Sequence, residues 1–369
     1  MKIDLESIDK TQFMVHEHIV NGEVLLLVQP QHIGADWNQE NKVFRSSVWN
    51  SKGELVSAGF PKFTNWGEKP AHFPTPESLE GSTVVEKVDG SLLIVSKYKG
   101  HLILRTRGTV DASKLDNGYE LETFVSDLLP KLLSLYQTVP EHDTWRHSYL
   151  FEWTSPTNKI VLNYGDAPTW VLVGIVDQND YTLEDQSFLD SLARQLSFKR
   201  PQTYTFKDIG DLLANVDLWK DKEGVCVYSN DGQMIHKVKS AWYLVRHRMK
   251  SELNNVEKVM DFWFENGRPD FMKFKELVLA FDYEIWEQVQ GNASKISDAW
   301  KAVQKMIEGM KNFLKEQVLP MPTRKLQSVV VIQSYGNTNR ASYVFKLLDG
   351  KELDDKDLKK LMFQVLKNL

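Results

Sequence analysis

The sequence predicts an α+β fold in two parts: an antiparallel-sheet domain over residues 1–245 and an all-helical domain over residues 246–369. Three observations lead there. Short apolar runs punctuated by Gly-, Asn- and Asp-containing turns fill the first part, which is the pattern of hairpins. Helical periodicity takes over after Trp242, in segments that end near Gly, Pro or Asn. No Walker-type or Gly-x-Gly-x-x-Gly pattern accompanies the strands, so a parallel nucleotide-binding sheet is not expected.

The elements follow in order. Residues 24–28 form a short apolar run of strand character. Residues 43–49 and 54–60 flank Asn50-Ser51-Lys52-Gly53 and read as a hairpin. Residues 83–86 are an apolar strand that runs into Lys87-Val88-Asp89-Gly90-Ser91, a tight Asp-Gly turn. Residues 91–99 and 101–109 meet at Lys99-Gly100 as a second hairpin. Residues 121–136 carry the leucine spacing of an amphipathic helix. Residues 149–153, 159–163 and 170–176 read as strands, and residues 183–196 as a helix. Residues 223–228 and 233–239 flank Ser229-Asn230-Asp231-Gly232, a third hairpin. Beyond them, residues 246–264, 271–290, 296–317, 338–348 and 354–366 read as helices, while 329–332 is an ambiguous apolar run.

Composition narrows the function classes. The chain has 369 residues, 42% of them hydrophobic, enough for more than one core. No apolar run approaches the roughly 20 residues of a membrane span, and Met1-Lys2-Ile3-Asp4-Leu5-Glu6 has no signal-peptide character. The single cysteine, Cys226, excludes an internal disulfide framework, argues against a zinc cluster, and suits a reducing compartment. A cytoplasmic protein without membrane association is therefore expected. The net charge of −5 supplies no global attraction for nucleic acid, so any polyanion has to be held by local basic clusters.

The candidate chemistry centres on Lys87. At the end of an apolar strand its amine is partly desolvated and aimed into a cleft, which is expected to lower its pKa and make it a nucleophile. Lysine nucleophiles form Schiff bases with carbonyls or phosphoramidates with nucleotides. The second chemistry needs cations for a triphosphate, carboxylates for ribose and metal, and an open path for pyrophosphate. Lys237-Val238-Lys239 puts two lysines on one strand face, which is unfavourable unless an anion lies between them. Glu223-Gly224 starts the preceding strand of that hairpin. Glu152 sits among apolar residues in Leu150-Phe151-Glu152-Trp153, where a carboxylate needs a partner or a role. Arg45 and Lys62 are cations among aromatics, and Arg105-Thr106-Arg107 repeats the paired-cation pattern. Each has a plainer structural reading: a solvated strand face for the lysines, an ion pair for Glu152, side chains snorkelling from a core edge for Arg45 and Lys62. His16-Glu17-His18 reads as a surface strand, and Asp354-Asp355 as a helix start.

Taken in order, these segments resemble the motif series of covalent nucleotidyltransferases, the ATP-dependent ligases and capping enzymes. The closer resemblance is to the RNA ligase 1 family typified by the T-even phage enzyme. It rests on Lys87-Val88-Asp89-Gly90-Ser91, on Phe151-Glu152 with Pro156-Thr157-Asn158-Lys159-Ile160-Val161-Leu162 and Tyr164, and on Glu223-Gly224. Lys237-Val238-Lys239-Ser240 with Trp242-Tyr243, and the upstream Arg45 and Lys62-Phe63-Thr64-Asn65, complete it. The family's upstream tyrosine has no counterpart, the nearest position being around Gln29, and Arg107 stands where the family type has lysine.

The resemblance implies an ATP-grasp-like ligase domain and an ATP-dependent RNA ligase. It would join RNA with 5′-phosphate and 3′-hydroxyl ends, a broken tRNA among the candidate substrates, through lysyl-AMP and RNA-adenylate, with Mg2+ or Mn2+ as the metal. A phage-encoded enzyme acting in host cytoplasm fits that family. By the resemblance Lys87 is the nucleophile, Asp89 orients it or a metal-bound water, and Gly90 belongs to the nucleotide site. Glu152 takes the AMP ribose, and Glu223 a metal or the lysine. Lys237 and Lys239 take the α-phosphate, Arg45 and Lys62 the outer phosphates or RNA 5′ end, and Arg107 the nucleic-acid strand. Asp270 corresponds to a metal-site aspartate, or else is a helix-start carboxylate favoured by the dipole. The helical part is expected to select the RNA. The alternatives are an ATP-dependent DNA ligase, which usually carries an OB-fold barrel in place of helices, and a nucleotide-dependent RNA-end-binding protein without turnover.

Overall fold

The computed structural model describes residues 1–31, 35–68, 73–114, 120–136, 143–253, 255–279 and 283–367. The chain divides into two units, Met1–Val245 and Arg246–Leu369. Among the described residues no helix is long and apolar enough to cross a membrane.

The first unit contains three sheets. Strands β1 (Phe13–Val20), β2 (Glu23–Pro30), β3 (Ser47–Asn50) and β4 (Leu55–Ala58) form an antiparallel meander. Next in the chain come β5 (Thr64–Asn65), β6 (Thr83–Glu86), β7 (Ser91–Tyr98), β8 (His101–Arg105), β9 (His147–Thr154), β10 (Thr169–Asp177) and β11 (Thr182–Leu183). β12 (Thr203–Tyr204), β13 (Gly224–Tyr228) and β14 (Ile235–Lys239) complete the strands. One five-stranded sheet has the order β11-β10-β9-β7-β8 and the other β12-β6-β13-β14-β5. Every pairing is antiparallel except that of β5 with β14.

Each five-stranded sheet is covered on one face by helices. Leu93, Val95, Phe151 and Trp153 pack against Phe124 of α1 (Leu121–Asp127), Leu132 of α2 (Leu129–Ser134), and Leu189 and Leu192 of α3 (Gln186–Leu196). Val84, Val225, Val227 and Val238 pack against Leu212 and Val216 of α4 (Ile209–Asp217). Each fully buried side chain of this size contributes about 1.5–3 kcal/mol. The opposite faces supply the walls of one cleft, lined by Leu92, Glu152 and Val173 on one side and Val85, Cys226, Tyr228 and Ile235 on the other.

Several expected elements differ. Residues 159–163 are a loop rather than a strand, because the Val161 and Leu162 amides donate to the Asp89 carboxylate instead of to a neighbouring strand. Residues 42–45 form a 3-10 turn before β3. The expected helix at 183–196 starts at Gln186, capped by Asp185, whose carboxylate accepts from the Phe188 amide.

In the second unit the periodic segments are helices, divided differently from expectation. The segment 246–264 is two helices, α5 (Ala241–Glu252) and α6 (Val256–Glu265), because Asn255 caps the second through the Lys258 amide. The segment 271–290 contributes α7 (Phe271–Leu279) and the start of α8 (Tyr283–Phe313). Residues 329–332 lie inside α9 (Arg324–Tyr335), followed by α10 (Ala341–Leu348) and α11 (Asp355–Leu366). Trp286, Val289, Ala293, Ile296, Ala299 and Val303 recur at helical spacing along α8 and anchor the core of this unit.

Polar groups also tie the first two sheets together. Ser148 Oγ on β9 accepts from the Ala58 amide of β4 and from Gln178 Nε2, both at 2.9 Å, and lies 2.8 Å from Ser96 Oγ. Ser148→Ala orphans two buried donors, so it is expected to destabilise the protein by about 2–4 kcal/mol in denaturant unfolding. A loss below about 0.5 kcal/mol would show that the network is not holding the sheets.

Candidate active site

Strand register builds the site. Antiparallel pairing sets Val85 beside Cys226 and Cys226 beside Lys237, so these three share a face. Two residues along, the same face carries Lys87, whose amide donates to the Gly224 carbonyl, and Lys239, paired with Gly224. The cleft therefore has an apolar floor and a cationic rim. Gly224 is required there: its φ is +147°, and a Cβ would lie 2.0 Å from the Val238 carbonyl oxygen. Gly90 meets a similar limit, since a Cβ would lie 2.3 Å from the Trp153 carbonyl oxygen.

Glu223 occupies the centre with 2% of its side chain exposed. Its Oε2 accepts from Lys87 Nζ at 2.9 Å and its Oε1 from Lys239 Nζ at 2.8 Å. Both oxygens are engaged by lysines, so a metal at Glu223 would have to displace one of them. Burial pulls the Lys87 pKa down, but the charges of Glu223 and Glu152 outweigh it and the net shift is upward. The expected lowering is therefore corrected: Glu223 and Glu152 favour the ammonium form of Lys87.

Lys237, in contrast, has a lowered pKa. Burial first, then Arg45, Lys239, Lys87 and Lys62, bring it down to about 8. Its ammonium lies 5.1 Å from the centre of the Phe63 ring, and the Arg45 guanidinium lies 4.5 Å from the same centre. Arg45 is itself lowered to about 10 by burial and by Arg107. Lys62 lies over the Trp37 ring and is lowered by burial and by Arg45. Arg45 and Arg107 line the cleft of about 540 Å3 along with Lys87, Gly90 and Glu152. The structure thus brings together Arg45, Lys62, Lys87, Glu152, Glu223, Lys237 and Lys239, with Arg107 at the rim.

Asp89 is placed differently. It does not contact Lys87. One oxygen accepts the Val161 and Leu162 amides at 2.8 Å each, and the other accepts the Tyr243 hydroxyl at 2.7 Å. Its own amide donates to the Tyr164 hydroxyl at 2.9 Å. Asp89 therefore fixes the turn after Lys87 to the 159–164 loop and to α5. Tyr243 and Tyr164 acquire this holding role, which no local pattern signals because both partners are distant in sequence.

Asp270 lies in the helical unit. Its carboxylate caps α7 by accepting the Lys273 amide at 2.9 Å and pairs with the Lys273 ammonium at 3.6 Å, so the helix-start reading accounts for it. Among the described residues, the cleft holds no cluster of three metal-ligating side chains. One such group, His147, Asp177 and Glu184, lies elsewhere, and Arg146 already pairs with Asp177. The carboxylates of the cleft, Glu152 and Glu223, fit a Mg2+ that keeps its waters and is bound by one or two carboxylates together with substrate phosphates.

Glu152 allows a direct test of these electrostatics. Burial pushes its carboxyl up to about 7, with Glu223 and Asp89 adding to the rise and Lys87 and the Gly90 amide opposing it. A carboxyl raised on folding holds its proton more tightly in the native state, so stability is lost as pH rises from the unfolded value through about 7. Glu152→Gln should therefore be no more stable than the parent near pH 4, and increasingly more stable between about pH 5 and 8. Parallel stability curves would contradict this. The lysines give a second test: at about pH 8.5 an amine-specific reagent should modify Lys237 before Lys87 in the ligand-free protein. Faster modification of Lys87 would overturn its assignment as an ammonium.

The RNA ligase family model of the T4 RNA ligase 1 type matches residues 43–279. A protein of Autographa californica nuclear polyhedrosis virus, named as a bifunctional polynucleotide kinase/RNA ligase, is 28% identical over 250 residues, 62% of this chain and 34% of its own length. The chain thus spans about a third of that viral relative. A protein of Thermovibrio ammonificans named as an RNA ligase is 25% identical over 284 residues, 70% of each chain. Among solved structures, a mutant of the Naegleria gruberi RNA ligase with AMP and Mn is 15% identical, covers 64% of this chain and 80% of its own, and has a TM-score of 0.38. On the family match, which spans the strand, loop and helix residues that build the cleft, the chain belongs to the RNA ligase family.

Proposed function

We propose that the protein is an ATP-dependent RNA ligase that works through a lysyl-AMP intermediate on Lys87. The observation that carries this reading is the cation excess of the cleft. Arg45, Lys62, Lys87 and Lys239 all disfavour the charged form of Lys237, in a chain of net charge −5, and Glu223 bridges Lys87 and Lys239. Such a cluster is unfavourable unless a polyanion fills it, and a nucleoside triphosphate supplies that charge.

In the first step Lys87 Nζ attacks the α-phosphorus of ATP. The N–P bond forms, the bond to the bridging α–β oxygen breaks, and pyrophosphate leaves. The amine must first lose a proton, and Glu223 at 2.9 Å is the carboxylate within reach to accept it. Glu152 fits the ribose hydroxyls, Lys237 and Lys239 the α-phosphate, and Arg45, Lys62 and Arg107 the outer phosphates. A divalent ion carried by the phosphates would offset their charge as pyrophosphate departs. AMP then moves to an RNA 5′-phosphate, and a 3′-hydroxyl displaces it to leave a phosphodiester. The family match favours RNA over a DNA substrate, and a binder without turnover would not need the nucleophile.

For the helical unit we propose selection of the RNA. Residues 246–369 hold 21 lysines and arginines against 17 aspartates and glutamates, so this part is net +4 while the remainder is net −9. Phosphate attraction therefore favours this unit. A broken tRNA is a substrate that rewards such a separate contact surface. The side chain of Arg248, part of the expected cluster with Arg246 and His247, lies outside the described residues.

Two experiments check the division of labour. With ATP labelled in the α-phosphate, the full chain should retain label through denaturing electrophoresis, and Lys87→Ala should retain none while still sealing RNA that already carries a 5′-adenylate. Label on Lys87→Ala, or equal loss of both activities with the fold intact, would sink the assignment. A chain ending after Glu252, which keeps Tyr243 and all of α5, should still form the adduct but lose sealing of a nicked tRNA by at least about tenfold more than sealing of a plain oligonucleotide. Equal losses would remove the selection role.

A further inference from the structure

Arg105 closes β8 with none of its surface exposed, and no carboxylate is among its described partners. A guanidinium has five N–H donors, and here each finds a neutral oxygen. Nε donates to Ser57 Oγ at 2.7 Å. One terminal nitrogen donates to Ser46 Oγ at 2.8 Å and the Thr106 carbonyl at 3.1 Å. The other donates to the Ser46 carbonyl at 3.3 Å and the Ser57 carbonyl at 3.1 Å. Burying a cation without an anion is expensive, and an apolar side chain would fill the same space more favourably. The arrangement therefore calls for a reason beyond packing.

Ser46 supplies the reason. It follows Arg45 directly in the chain, and its hydroxyl donates to the Arg107 carbonyl at 3.0 Å while accepting from Arg105. Its carbonyl accepts from the Gly59 amide at 2.9 Å. One residue thus joins the backbone that carries Arg45 to the backbone that carries Arg107. Both guanidinium groups line the cleft, and they repel each other: Arg107 is among the groups that disfavour the charged form of Arg45. Two like charges held side by side separate unless their backbones are fixed, and fixed donors are what a triphosphate requires.

We propose that Arg105 is a positioning residue for the phosphate end of the cleft. Its fully bonded guanidinium locks Ser46 between Arg45 and Arg107 and so holds both cations ready for the outer phosphates. The inference rests on the reading of the cleft as an ATP site. Arg105 itself touches no substrate. Its influence runs through Ser46, so it should affect the pyrophosphate portion of the ligand and spare the nucleoside monophosphate portion, which sits with Lys87, Glu152 and the lysine pair.

The test compares binding of inorganic pyrophosphate and of AMP, each with metal, by titration calorimetry on the full chain. The variants are Arg105→Met, Arg105→Lys, Ser46→Ala and the Arg105→Met/Ser46→Ala double, with melting temperatures alongside. Arg105→Met should weaken pyrophosphate about tenfold or more and leave AMP within about twofold. Ser46→Ala should show the same selectivity at smaller size, the double variant should match Arg105→Met alone because the two act in series, and Arg105→Lys should recover part of the loss. Equal weakening of both ligands with a lowered melting temperature would reduce Arg105 to a structural pillar, and unchanged pyrophosphate binding would remove the role. If Arg105→Met does not fold, unchanged pyrophosphate binding by Ser46→Ala alone overturns the proposal. The ATP reading fails separately, by absence of lysyl-AMP in the parent protein.

Discussion

The Glu223 carboxylate bridges Lys87, just beyond β6, and Lys239, on β14, and the order of the site follows from that bridge. Without it, two ammonium groups would face each other across the β6-β13-β14 ladder. Removing one member of a buried ion pair of this kind costs about 3–5 kcal/mol, because the remaining charge is left unmatched. Gly224 makes the bridge possible by letting the backbone turn at a positive φ where any Cβ would strike β14. Glu223 thus sets the charge state of the nucleophile and the spacing of the lysines at once.

Around this bridge the charge is deliberately unbalanced. Lys237 is lowered to about 8 by burial and by the cations around it, Arg45 first, and Arg45 to about 10 by burial and by Arg107. In the proposed function, entering phosphate oxygens would relieve that crowding, which is preorganisation for binding a polyanion. Asp89 contributes from outside the cleft: by holding the 159–164 loop and Tyr243, it fixes the turn that aims Lys87.

Much of this was legible in the sequence, for a local reason. Strand alternation puts Lys237 and Lys239 on one face, and the Glu223-Gly224 start of the paired strand lies opposite, so period and turn alone assemble that corner. What was illegible depends on distant partners. The direction of the Lys87 shift reverses because Glu223 lies 136 residues away in sequence. Residues 159–163 look like a strand but give their amides to Asp89. Arg105 reads as one of a cation pair, yet it is buried among serines of other strands, while its neighbour Arg107 faces the cleft. The helix breaks were missed where one capping residue, Asn255, overrides a continuous apolar period.

In the proposed function the nucleophile is chosen by position and not by basicity. Lys237 is the more readily deprotonated of the two amines, but Lys87, unlike Lys237, has a carboxylate against its Nζ. Peptide mapping by mass spectrometry after incubation with ATP and Mg2+, under conditions that preserve the acid-labile phosphoramidate, decides between them. The account predicts one AMP per chain, on the peptide containing Lys87. AMP on the peptide containing Lys237, or no adduct at all on a folded protein, would contradict it.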